Sequence, residues 1–138
     1  MRILCTIFLL PLKDMEPQKI TIIEDDAAIR DMYALKLSAQ GFLVTTASDG
    51  ESGLALLENE RPHLVLLDLK MPKLPGNEVL KRLRAKSWGE TIKVIILTNM
   101  NKSEGTSDLR FLGVNRYILK VLHTPSQVVE IIKEVLNE

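Results

Sequence analysis

Several short apolar runs in this 138-residue chain give way to residues capable of chemistry. "KITII" (19–23) is followed by Glu24, Asp25 and Asp26, and "HLVLL" (63–67) by Asp68. "IKVIIL" (92–97) is followed by Thr98 and "RYIL" (116–119) by Lys120, whereas "FLVTT" (42–46) leads only to Ala47 and Ser48. Taken singly, each has an ordinary explanation. Asp25 or Asp26 can cap a helix, and Asp68 can start the loop that carries Pro72, Pro75 and Gly76. Thr98 can bond to backbone, and Lys120 can be solvated. Brought together, acids without a compensating charge repel and raise one another's pKa. A hard divalent cation held by carboxylate and carbonyl oxygens resolves that conflict. With Mg²⁺ in place, Asp68 becomes a usable nucleophile toward phosphorus. Thr98 and Lys120 then bind phosphoryl oxygens and neutralise developing charge. With one of Asp25 and Asp26 left to cap the helix, one mechanism uses the other five residues.

The elements that must position these groups alternate between two periodicities. The five runs read as strands. Between them lie helix-period segments: 25–41 with Ile29, Met32, Leu35 or Lys36, and Ala39 on one face and Gly41 as a stop, then 48–60 burying Leu54 and Leu57. Segment 76–86 turns Val79, Leu80 and Leu83 inward, and 102–113 is a weak fourth helix diluted by Gly105 and two serines. The last helix is the best specified. Thr124 takes the N-cap, Pro125 the first helical position and Gln127 the capping-box position. Val128, Val129, Ile131, Ile132, Val135 and Leu136 then form one apolar stripe. Five strands alternating with five helices predict an α/β fold, a doubly wound parallel sheet with helices on both faces. The third and fourth strands are nearly all apolar, as strands covered on both faces should be. In such a sheet ligands bind beyond the carboxyl ends of the strands, which is where the acids, Thr98 and Lys120 all fall.

Composition narrows the function classes. Eighteen basic residues balance eighteen acidic ones, so no broad electrostatic footprint points to nucleic acid or an anionic membrane. The single Cys5 cannot form an internal disulfide, which fits a reducing, cytoplasmic setting. The opening "MRILCTIFLLPLKD" (1–14) has an apolar octet too short to span a bilayer and no small-x-small cleavage site. It reads as an upstream extension before a natural start at Met15, against the rival readings of an anchor or an extra packed segment. Residues 15–138 form the one expected domain. The cluster Lys81, Arg82, Arg84 and Lys86 reads as the solvated face of the third helix, and Trp88 as a surface loop residue.

From about Lys19 through Leu136 the chain resembles the receiver domain of two-component response regulators. The resemblance rests on "ITIIEDD", "LVLLDLKMPKLPG", "VIILT" and "YILK", in that order and each ending its own strand. It implies the flavodoxin-like strand order 2-1-3-4-5. It makes Asp68 the phosphoacceptor, Glu24 and Asp25 the metal-binding acid pair, and the main-chain carbonyl of Lys70 a further Mg²⁺ ligand. Thr98 and Lys120 match the switch hydroxyl and the lysine. Tyr117 matches the aromatic that swings inward on phosphorylation.

The same resemblance implies a phosphoacceptor signalling protein rather than an enzyme, one that assists its own phosphorylation and dephosphorylation. Its phosphodonor would be a sensor histidine kinase or a phosphotransfer protein. Its output would pass to another protein through the fourth helix, fifth strand and fifth helix, and a homodimer is among the assemblies allowed. Two departures stand out. Val121 follows Lys120 where receivers usually have proline, so that peptide is expected to be trans and its loop reshaped. Asn99 follows Thr98 where the family has a small residue, beside the path of the phosphodonor or of Tyr117. Lys70 and Met100 flank the path of attacking water; neither is a good acceptor for it, which predicts slow autodephosphorylation. A haloacid dehalogenase-type hydrolase also uses a strand-end Asp with Mg²⁺, but wants a second Asp where this chain has Lys70, and usually a cap domain for which there is no room. A pseudo-receiver that only binds is the other rival, and the intact five-residue set argues against it.

Overall fold

The computed structural model describes residues 16–99 and 109–138. The strands are β1 Lys19–Ile23, β2 Leu43–Ala47, β3 Leu64–Leu67, β4 Lys93–Thr98 and β5 Arg116–Leu119. The helices are α1 Ala27–Ala39, α2 Gly50–Glu60, α3 Gly76–Arg84 and α4 Pro125–Leu136. All strand pairs are parallel and the order is β2-β1-β3-β4-β5. The doubly wound α/β expectation holds, down to the strand order. Residues 1–14, Met100 and most of the expected fourth helix lie outside the described residues; its last part, Leu109–Phe111, is a 3₁₀ turn.

Alternation along the central strands builds two cores. Val65, Leu67, Val94 and Ile96 face a layer with Leu57, Val79, Leu80 and Leu83 of α2 and α3. Leu64, Leu66, Ile95 and Leu97 face Tyr33 and Leu37 of α1 and Val128, Ile132 and Val135 of α4. Strands covered on both faces must be apolar on both, which is why β3 and β4 read as continuous runs. The caps fall where side chains can accept from open N–H groups: Asp26 from Ile29, Asp49 from Ser52 and Thr124 from Gln127. Thr124 and Gln127 complete the expected capping box.

Three expectations need correction. Ile29 and Met32 pack partly buried against the core as expected, but the buried positions of α1 are Tyr33 and Leu37, with Leu35 74% exposed and Ala39 exposed. Apolar residues lie on more than one side of α1, and the helix turns its one aromatic inward. Trp88 is partly buried against the core, in a 3₁₀ turn at Ser87–Gly89, with the Arg61 guanidinium 5.1 Å from its ring centroid. Arg84 is not on a solvated face. Its guanidinium donates to the carbonyls of Leu112 (2.6 Å), Gly89 (2.6 Å), Ile92 (2.7 Å) and Gly113 (2.9 Å), tying α3 to the starts of β4 and β5.

Candidate functional site

The sheet places its acids by backbone bonds before any side chain is considered. The Glu24 N–H donates to the carbonyl of Ala47 on β2, and the Asp68 N–H donates to that of Ile23 on β1. Both residues therefore continue the ladder one step past their strands, side by side. One carboxylate oxygen from each of Glu24, Asp25 and Asp68 lies within 4.8 Å of the others. Glu24 and Asp68 are buried, at 3% and 6% exposure, while Asp25 is exposed. Asp26 is spent on the N-cap of α1, which settles which of the two aspartates caps.

Lys120 reaches this cluster from the far side of the sheet. Its ammonium is bonded to Glu24 and lies 3.3 Å from Asp68 Oδ2. Burial pushes the Glu24 carboxyl up to about 7; Lys120 pulls it down, but the neighbouring Asp68 adds to the rise. Burial alone would lower the Lys120 pKa, but Glu24 and Asp68 outweigh it and hold the ammonium above its ordinary range. A charged lysine between two buried carboxylates is the arrangement that keeps two close acids tolerable without a metal.

Thr98, 1% exposed, ends β4 two residues past Ile96, which pairs with Leu67. Asn99 beside it is exposed. Lys70 is exposed in the loop that leaves Asp68, and Tyr117 is partly buried on β5 opposite Ile96, packed against the α2 and α3 core. The described residues contain no cis peptide, so the bond before Val121 is trans as expected. The loop there becomes a 3₁₀ turn, Lys120–Leu122, with Val121 77% and Leu122 69% exposed.

Two residues near the site had no sequence signal. Tyr33, buried on α1, lines a small internal cavity with Glu24 and Asp68. Burial pushes its phenol up to about 12, helped by the charge of Glu24. Arg30 folds back along α1 and donates to the carbonyl oxygens of Glu24 (3.0 Å) and Asp25 (3.4 Å). Neither stands at a strand end, where a search of such a fold begins.

The donor set suits a hard divalent ion: three carboxylate oxygens close enough to share one, with a cation in reserve. The doubly wound sheet thus gathers acids and a lysine at the carboxyl ends of β1, β3 and β5, where folds of this class bind their ligands. The family follows from comparison. Residues 20–133 match the model of the response regulator receiver domain, and the chain belongs to that family, the receivers of two-component signalling. A probable transcriptional regulator of Porphyridium aerugineum is 37% identical over 123 residues, 89% of this chain and 50% of that protein. The chain thus spans about half the length of such curated relatives.

Among solved structures, a CheY-like receiver domain protein of Methanospirillum hungatei has a TM-score of 0.81 at 33% identity, covering 88% of this chain and 95% of that one. The receiver domain of a sensor histidine kinase from Pseudomonas aeruginosa, solved with magnesium in its active-site cleft, shares the fold. Its TM-score is 0.77 at 24% identity, over 88% of this chain and 99% of that one. Among the described residues, no helix is long and apolar enough to cross a membrane.

Proposed function

We propose that this chain is a phosphorylation switch in which Asp68 accepts a phosphoryl group from the phosphohistidine of a sensor histidine kinase or phosphotransfer protein. The observation that carries the reading is the convergence of Glu24, Asp25 and Asp68 around the ammonium of Lys120. Glu24, Asp25 and Asp68, with the carbonyl of Lys70, would hold Mg²⁺, the ion found in the cleft of the Pseudomonas receiver. When bound, the ion offsets the charge of the acids and of the incoming phosphoryl oxygens.

An Asp68 carboxylate oxygen attacks phosphorus as the bond to the histidine nitrogen breaks. An acyl phosphate forms on Asp68 and the histidine leaves as neutral imidazole once a proton reaches it. Lys120 moves from the acids to the transferred phosphoryl oxygens, and the Thr98 hydroxyl donates to another of them. Burial of Asp68 and Thr98 limits water at the acceptor. Tyr117 responds to Thr98, and output passes to a downstream protein through the face of β5 and α4. The protein works in the cytoplasm, and the signal it relays is a binding event rather than turnover.

Intact-mass measurement after incubation with phosphoramidate tests this reading. A gain of one phosphoryl group is expected with Mg²⁺, none with EDTA, and none in Asp68→Asn. Labelling that survives in Asp68→Asn would overturn the acceptor. No labelling of the wild type under any condition would favour a receiver fold that acts by binding alone.

A further inference from the structure

Three consecutive carboxylates, Glu24 to Asp26, follow β1, and two of them point at Asp68. Like charges held this close push the loop to open. The backbone bond from Glu24 to Ala47 fixes one end, and the cap from Asp26 to Ile29 fixes the other. Between them the chain is braced by Arg30, one turn into α1, whose Nη1 donates to the carbonyls of Glu24 and Asp25. A guanidinium beside acids ordinarily takes their carboxylates, often in a bidentate pair. Here its bonds go to main-chain oxygens, so it leaves the carboxylates to a metal. Both bonds leave the terminal nitrogen Nη1, one bond farther from the backbone than the ammonium of a lysine at this position would lie.

We infer that Arg30 is a positioning residue for the acid site: it fixes the backbone of Glu24 and Asp25 so that their carboxylates converge on Asp68 without occupying either. The inference rests on the reading that these acids hold Mg²⁺. Geometry and charge make opposite predictions here. If Arg30 acted only as a nearby positive charge, removing it would strengthen Mg²⁺ binding. If it holds the loop, removing it weakens binding even though the local charge becomes more favourable.

The test is calorimetric titration of Mg²⁺ into wild type, Arg30→Met and Arg30→Lys, with melting temperature recorded without metal. Both variants should bind Mg²⁺ roughly tenfold more weakly, the usual effect of losing a group that orients a ligand. Their metal-free melting temperatures should stay near that of the wild type. Tighter or unchanged binding in Arg30→Met would show that Arg30 does not hold the loop and overturn the inference. A fall in melting temperature with Mg²⁺ affinity intact would make Arg30 structural and overturn the inference. A wild type that binds no Mg²⁺ would instead overturn the metal reading of the acids, and this inference with it.

Discussion

Gly76 comes so close to Asp68 that a β-carbon built on it would lie 2.1 Å from the Asp68 carbonyl oxygen. The Gly76 N–H also donates to the carbonyl of Leu69 at 2.8 Å, so the loop leaving the acceptor closes back on itself. Gly76→Ala should therefore cost about 1–3 kcal/mol, the usual range for forcing atoms into a packed site. It should also displace the acceptor, slowing phosphorylation of the folded variant. Urea unfolding and phosphoramidate labelling, run in parallel, check both halves.

Lys120→Met leaves Glu24 and Asp68 buried without the cation they share. Removing one partner of a buried charge cluster costs about 3 kcal/mol. Mg²⁺ should restore more stability to this variant than it adds to the wild type, because it replaces the missing charge. Equal Mg²⁺ effects in the two proteins, measured by urea unfolding, would place the metal away from Lys120.

The raised pKa of Glu24 has a definite sign for stability. Its folded value, about 7, exceeds its ordinary 4.5, so the folded chain holds this proton more tightly than the unfolded chain. The stability it contributes is full below the ordinary value and is lost as pH rises through about 7. Mg²⁺ requires Glu24 ionised, so the rise in melting temperature caused by Mg²⁺ should be small near about pH 6 and larger near about pH 8. Melts with and without metal across that range check it. A metal effect independent of pH would remove Glu24 from the ligand set.

Arg84→Met should destabilise the fold by about 2–3 kcal/mol, since it strips a charged donor from carbonyls at Gly89, Ile92, Leu112 and Gly113. Arg84→Lys should recover little, because one ammonium cannot reach all of those oxygens. Acceptor labelling of the folded fraction should be unchanged, since Arg84 braces the opposite ends of β4 and β5. Thermal melting with labelling of each variant separates these outcomes.

What the sequence made legible depended on range. The five strands, the capping box at Thr124 and Gln127, and the strand-end acids are written in spacings of a few residues, and all appear where expected. The face of α1 was misjudged because Leu35 and Tyr33 fit the helical period almost equally well, and only packing against β1 and α4 chooses between them. Arg84 looked like its neighbours Lys81, Arg82 and Lys86. Its carbonyl partners at Leu112 and Gly113 lie 28 and 29 residues away and carry no side-chain signal. Arg30 was missed for a related reason, since it acts on backbone rather than on the carboxylates that drew attention.

The distances along the chain between the acids and their lysine bear on which part of the fold the site depends on. Glu24 and Asp68 sit on neighbouring strands and meet as soon as β1 pairs with β3. Lys120 lies 96 residues from Glu24 and 52 from Asp68, and is carried by β5 at the edge of the sheet. The neutralising charge is thus the site's most distant member in sequence, and it depends on an edge strand staying docked. Detachment of β5 would leave two buried acids without the cation they share, so the edge of the sheet is also the hold on the centre of the site.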